Sequence, residues 1–247
     1  MLEIVPLPAL RDNYIWTLRK GAQAAVVDPG EARPVLEYLA REKLELCAIL
    51  TTHHHPDHVG GIPELLAGKR VPVYGPKGEP IATLTRPVAE GDTVAIPELG
   101  VTLSVLDIPG HTRAHVAYYG AGSLFCGDTL FACGCGRLFE GTPAMMYAAL
   151  VEKLGRLPGA TQVYCGHEYT LGNLRFAAHV EPENEAVKRA LARAQEIRAR
   201  AAGDWHDATP DEMTVPSTIA DEHATNPFLR AGSVEELGRR RAEKDSF

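Results

Sequence analysis

The chain has 247 residues, 45% hydrophobic and 23% charged, which excludes general disorder and suits one large α/β domain or two smaller ones. Its net charge of -7 argues against a general nucleic-acid binder, and no apolar run approaches the ~20 residues that span a bilayer. The start MLEIVPLPAL lacks a secretory signal's basic and apolar regions, and five scattered cysteines make no disulfide framework, so a cytoplasmic protein is expected.

Short apolar or β-branched segments at Glu3–Leu7, Tyr14–Leu18 and Ala24–Asp28 predict strands, set off by Asp-Asn, Lys-Gly and Pro-Gly. Val35, Leu36, Leu39 and Ala40 recur at helical spacing, so Ala32–Lys43 predicts an amphipathic helix. Leu46–Thr52 predicts a buried strand running into His53, and Gly61–Ala67 a short helix. Val71–Tyr74, Thr93–Ile96, Val101–Ile108, Val116–Tyr119 and Ser123–Cys126 predict further strands between turn residues. Pro143–Leu157 predicts a helix with proline near its start, and Thr161–Cys165 one more strand. Tyr169–Val180, Asn184–Ala202 and Ser233–Lys244 predict helices, and the polar Gly203–Pro227 a long connection. The change of character near Thr170 places a mixed α/β domain over residues 1–169 and a smaller helical one over 170–247.

The histidines carry the chemistry. His53 and His55 are two apart, so on an extended segment they point to one side and His54 to the other. Asp57 and His58 follow where the chain turns towards a helix. His111, Asp128 and His167 each stand next to a glycine after an apolar strand, where a tight bend is allowed. Seven nitrogen and oxygen donors thus collect at strand ends and can face two adjacent metal positions. A lone histidine after a strand is usually a core or surface residue; the alternating pattern together with three further strand-end donors makes coincidence a poor account. His54, His179, His206 and His223 are expected to be packed or solvated, and His115 to be a structural hydrogen bonder. Cys133 and Cys135 are too close for an unstrained disulfide and lack the second pair of a zinc set.

These motifs resemble the metallo-β-lactamase superfamily, through Val26-Val27-Asp28-Pro29-Gly30, His53 to His58, His111, Asp128 and His167. More narrowly, the chain resembles the hydroxyacylglutathione hydrolases (glyoxalase II). That likeness runs through Asp12-Asn13-Tyr14-Ile15-Trp16, Phe125 to Phe131, Gly134 to Thr142, Gly166 to Thr170 and Arg241 to Phe247. The resemblance implies an αββα sandwich with a helical C-terminal domain. It implies one divalent metal on His53, His55 and His111, another on Asp57, His58 and His167, and Asp128 bridging them. Zinc is the expected metal, with iron or manganese as alternatives.

The implied reaction is hydrolysis of S-lactoylglutathione to glutathione and D-lactate by a hydroxide shared between the metals, with Asp57 and Asp128 at the chemistry. Arg137, Phe139, Tyr169, Arg241 and Lys244 are the implied substrate contacts. Arg137 and Phe139 stand where some members carry Lys and Tyr, and a phenylalanine cannot donate the hydroxyl bond. Asp28 either orients a ligand histidine or simply forms the turn before Pro29-Gly30. The expected protein is a monomer with a small-molecule thioester substrate and no nucleic-acid or membrane partner. An iron-dependent persulfide dioxygenase of the same fold is the alternative. It needs only the His53/His55/His111/Asp128 site.

Overall fold

In the computed structural model, which describes residues 1–201 and 203–247, β1 (Glu3–Ala9), β2 (Asn13–Lys20) and β3 (Gln23–Val27) form an antiparallel meander. α1 (Arg33–Glu42) then crosses over, and β4 (Glu45–Leu50) pairs parallel to β3. After α2 (Pro56–Val59) and α3 (Ile62–Leu65), β5 (Val73–Pro76) and β6 (Arg86–Val88) extend this sheet in parallel. β7 (Thr93–Ile96), β8 (Val101–Asp107), β9 (Val116–Gly120) and β10 (Ser123–Gly127) begin a second sheet. Next come the short pair β11 (Leu130–Phe131) and β12 (Gly134–Cys135), then α4 (Pro143–Tyr147). β13 (Gln162–Cys165) joins β10 in parallel, and β14 (Ser217–Thr218) closes that edge.

Burial explains the layers. β8 alternates buried and exposed residues through Val101, Leu103 and Val105, whereas β2 is buried from Asn13 to Leu18. One core holds Trp16, Leu50, Leu103 and Phe125 of the two sheets. On the other face of the first sheet, Val35 and Leu39 of α1 and Ile62 and Leu65 of α3 pack with Val26, Ile49 and Val73. Each such side chain contributes about 1.5–3 kcal/mol when fully buried.

The helical part comprises α5 (Thr170–Val180), α6 (Glu185–Arg198), α7 (Ile219–Thr225) and α8 (Val234–Ser246). No described helix is long and apolar enough to cross a membrane.

Several elements differ from the sequence expectation. The short helix expected over Gly61–Ala67 is α3, Ile62–Leu65, and an additional helix, α2, begins at Pro56, so Asp57 and His58 are helical. Pro143–Leu157 is not one α-helix: α4 passes into a π turn over Ala148–Lys153 and a 3-10 turn over Leu154–Arg156. Met146, Leu150 and Leu154 recur every four residues, and the wider turn holds that spacing on one buried side. The helix expected to begin at Asn184 is capped by that side chain and runs Glu185–Arg198; residue 202 lies outside the described residues. Gly203–Pro227 is not merely a connection: it contains β14 and α7, whose start is a capping box between Thr218 and Asp221.

The β11–β12 pair is fastened to the helices by buried polar groups. Asn226 Nδ2 donates to Gly134 O at 2.9 Å, Asn173 Nδ2 to Ala132 O at 3.1 Å, and Glu222 accepts from Cys133 N–H at 2.9 Å and Asn226 Nδ2 at 2.8 Å. Burial pushes the Glu222 carboxyl up to about 7 despite these donors. The raised value means that the folded state binds the proton more tightly than the unfolded chain. Its stabilisation is complete below the ordinary carboxyl pKa and is lost as pH rises through about 7. Glu222→Gln keeps the acceptor without the charge. The variant is expected to melt with the wild type at pH 5 but roughly 4 °C higher at pH 8, about 1–2 kcal/mol. A pH-independent difference in thermal unfolding would contradict this assignment.

Candidate metal centre

Five donors, His53, His55, His111, Asp128 and His167, follow strands at one edge of the sandwich, and Asp57 and His58 stand on α2 beside them. β4 ends at Leu50, and Thr51 and Thr52 lead into His53. This crossing is fixed by the second sheet: Val116 N–H donates to Thr52 O at 2.9 Å and Tyr118 Oη to Thr51 O at 2.8 Å. His111 follows β8, Asp128 follows β10 and His167 follows β13. Gly166 N–H donates to Gly127 O at 2.9 Å, tying the turns that carry Asp128 and His167.

Two sets of donor atoms result. His55 Nδ1 lies 3.1 Å from His53 Nε2 and 3.0 Å from His111 Nε2. In the second set, His58 Nε2 lies 3.3 Å from His167 Nε2, and Asp57 Oδ2 lies 3.5 and 3.4 Å from those two nitrogens. Asp128 stands between the sets. Its Oδ1 is 3.4 Å from His58 Nε2, and its Oδ2 is 3.2 Å from His167 Nε2 and 3.5 Å from His111 Nε2.

Asp128 Oδ1 is buried and has no hydrogen-bond partner. A buried carboxylate oxygen left unpaired among converging ring nitrogens is costly unless positive charge sits there. The donor chemistry, imidazole with a few carboxylates, suits divalent transition metals, and the two sets offer two ion positions. Proton affinities report the same field. Burial lowers His58 and His167, but Asp128 and neighbouring carboxylates outweigh it and hold both well above the ordinary value. Burial raises Asp128, yet His167 and His58 outweigh it and keep the acid well below its usual range.

The far side of each ring is also held. His58 Nδ1 pairs with Asp28 Oδ2 at 3.1 Å, and His167 Nδ1 with Asp12 Oδ1 at 2.8 Å. His111 Nδ1–H donates to Arg137 O at 2.9 Å, and Thr52 Oγ1 lies 3.0 Å from His53 Nδ1. Asn13 Nδ2 donates to Asp57 Oδ2 at 3.0 Å. Such partners fix the tautomer and angle of a ligand.

Asp28 stands on the far side of the His58 ring. Its backbone takes a left-handed φ of 54°, and its carboxylate accepts from Thr52 N–H and Thr52 Oγ1, both at 2.7 Å, while facing His58. Asp28, His53 and His58 also come close enough to resemble a third set. Asp28 accepts twice from Thr52 behind the rings. Asp12 and Asn13 had no assigned role from sequence; they stood out only as a turn and as the start of the Asp12–Trp16 likeness.

His54 points away from both sets, and His115 stacks on His53 at 4.6 Å while accepting from Asp128 N–H at 3.2 Å. His179, His206 and His223 are held by Glu243, by Glu31 and Asp204, and by Gly155 O respectively. All five cysteines are free, and Cys135 lines the cavity wall.

The centre opens into a cavity of about 610 Å³. Phe139, 62% exposed, presents an edge to His55 and His111, and Tyr169 stacks on His167 with centroids 4.6 Å apart. Arg137, Arg241 and Lys244 line the same cavity. Arg241 is only 5% exposed; it donates to Cys135 O at 2.8 Å and pairs with Asp245 at 2.9 Å. Arg137 Nε lies 3.4 Å from the same Asp245 oxygen. Lys244 Nζ donates to Gly172 O at 3.0 Å, and burial, then the Arg241 charge, pushes its pKa down to about 8.

A two-sheet sandwich with a His/Asp cluster at its edge is the architecture of the metallo-β-lactamase superfamily, whose family model matches residues 10–167. The described fold agrees with that of the crystal structure of ETHE1 from Myxococcus xanthus. The TM-score is 0.71 at 23% identity, over 98% of this chain and 90% of that one. The di-iron-bound crystal structure of TTHA1623 gives 0.63 at 25% identity, over 91% of this chain and 100% of that one. Residues 168–247 match the model of the hydroxyacylglutathione hydrolase C-terminus. The hydroxyacylglutathione hydrolase of Alkalilimnicola ehrlichii is 56% identical over 233 residues, 94% of this chain and 87% of the relative. The chain belongs to the hydroxyacylglutathione hydrolase family.

Proposed function

We propose that the protein hydrolyses S-2-hydroxyacylglutathione thioesters, releasing glutathione and, from S-lactoylglutathione, D-lactate. The observation that carries this reading is that one cavity joins the His/Asp centre to three cationic side chains, Arg137, Arg241 and Lys244. A glutathione thioester has its reacting carbonyl at one end and carboxylates at the other. In this reading His53, His55 and His111 hold one zinc ion, Asp57, His58 and His167 the other, and Asp128 both; iron or manganese suits the same donors. Residues 1–169 form the catalytic domain and 170–247 the glutathione-binding domain. Unpaired cysteines support a reducing, cytoplasmic location. A monomer is supported by the few exposed large apolar residues, Met1, Phe139, Tyr169 and Phe247, two of which border the cavity.

Two such ions, when bound, would supply a hydroxide at neutral pH and positive charge for the carbonyl oxygen. The remaining work belongs to the chain. Phe139 and Tyr169 wall the acyl group and limit water. Asp57, held by Asn13, would keep its ionised carboxylate on the second set, and the proton released from the attacking water leaves to solvent through the cavity. As a new C–O bond forms, the C–S bond breaks and sulfur leaves with the electron pair. A thiolate is a weak enough base to depart without a strong general acid. Stepwise loading of metal-free protein tests this: hydrolysis should reach its maximum at two ions per chain, with no oxygen consumed. Maximal turnover at one ion, or oxygen uptake with glutathione persulfide, would overturn it.

Lys244 supplies a separate check on recognition. It is protonated below about 8, so the Michaelis constant for the thioester should rise as pH passes that value. Lys244→Ala is expected to raise KM roughly tenfold at pH 7, about 1.4 kcal/mol, with kcat retained and the pH dependence gone. Arg241→Ala is a poorer probe, because it also strips partners from Cys135 O and Asp245 inside the fold. An unchanged KM in Lys244→Ala would place glutathione recognition elsewhere.

A further inference from the structure

Glu79 lies between β5 and β6 and belongs to neither donor set. Its side chain is nevertheless 2% exposed, and a buried carboxylate is costly unless its oxygens are met. Four groups meet them. Oε1 accepts from Thr112 Oγ1 at 2.7 Å and from Ala114 N–H at 3.0 Å. Oε2 accepts from His54 N–H at 3.3 Å and pairs with His54 Nδ1.

One carboxylate therefore bonds two loops: the one that presents His53 and His55, and the one that presents His111. These loops supply every donor of the first set. His54 carries the connection further. Its Nε2 lies 3.5 Å from Glu140 Oε1, while Glu140 accepts from Arg113 N–H at 3.0 Å and donates its own N–H to His111 O at 3.3 Å. The same segment provides Arg137 O to His111 and Phe139 against His55 and His111. The second set is held by other residues, Asp12, Asn13 and Asp28.

We propose that Glu79, through His54, is a positioning residue for the first metal ion, fixing the spacing of His55 and His111 and leaving the second ion's site alone. This rests on the two-ion reading above, and it goes beyond that reading by giving the sites separate supports. His54 is thereby packed, as its orientation required, but it joins the loops rather than filling space.

The test uses the full chain, stripped of metal and titrated with cobalt(II) against a chelator, which yields two dissociation constants and the visible spectrum of each step. His167→Ala, which removes a second-set donor, assigns the constants to sites. Glu79→Ala is expected to weaken the first ion roughly 10- to 100-fold, with the other constant within about twofold. Its first-site cobalt spectrum should also shift. Glu79→Gln keeps an acceptor for Thr112 and Ala114 and should recover part of the loss. Unchanged constants in folded Glu79→Ala would overturn the proposal, and so would equal weakening of both ions. If Glu79→Ala does not fold, His54→Ala decides: selective loss at the first site supports the proposal and unchanged binding overturns it. Wild-type protein that fails to bind two ions would instead defeat the metal reading itself.

Discussion

Asp128→Asn should leave a folded protein with fewer than two bound metals and turnover reduced about 100-fold or more, at least ~2.7 kcal/mol in the barrier. The expectation follows from position. Asp128 is the one side chain with an oxygen towards each donor set, and its Oδ1 has no other partner. An amide keeps the shape but removes the charge and turns an NH2 group towards the ring nitrogens. Both ions lose a ligand at once, whereas His167→Ala should weaken one and spare the other. Elemental analysis beside kcat checks the pair. Two metals per Asp128→Asn chain with near-normal turnover would show that no carboxylate needs to serve both.

Gly166→Ala should do comparable damage without touching a donor. A Cβ there would stand 2.4 Å from Asp128 Oδ1 and 2.7 Å from His58 Cε1. Neither neighbour is free to retreat, because His58 is buried and held by Asp28, and Asp128 N–H is held by His115. The added methyl must push Asp128 off its central position or displace the turn to His167. Overpacking of this kind costs about 1–3 kcal/mol, or roughly 2–12 °C in melting temperature for a chain of this size. At least one metal and most of the turnover should go with it. Gly172→Ala is the control, since a Cβ at that position would meet nothing within 4 Å. A Gly166→Ala protein with wild-type metal content and melting temperature would mean that this turn sits elsewhere.

The donor set was legible because its information is local. Alternation in His53-His54-His55 and glycines beside His111, Asp128 and His167 mark strand ends without any knowledge of tertiary contacts. The residues that hold those donors were not legible by the same route. Asp12 meets His167 across 155 positions, and Glu79 meets His54 across 25. Nothing at Glu79 itself departs from an ordinary loop carboxylate.

Secondary structure failed where elements were too short for a period to declare itself, as in the two-residue strands β11, β12 and β14. α7 was hidden for a different reason. Its capping box, Thr218 and Asp221, was submerged in polar residues that read as connection. Arg241 and Lys244 were implied as substrate contacts by the resemblance, and both line the cavity. Spacing alone could not reveal that Arg241 is already engaged by Cys135 and Asp245. The more available charge is Lys244.

Recognition of a glutathione thioester by the cavity is measured in one comparison. The metal-loaded protein is given the same 2-hydroxyacyl group on glutathione and on a short thiol lacking both of its carboxylates, and kcat/KM is measured for each. The expected preference for glutathione is about 100-fold, roughly 2.7 kcal/mol for two charged contacts, expressed mainly in KM and reduced about tenfold in Lys244→Ala. Equal kcat/KM for the two thioesters would contradict it.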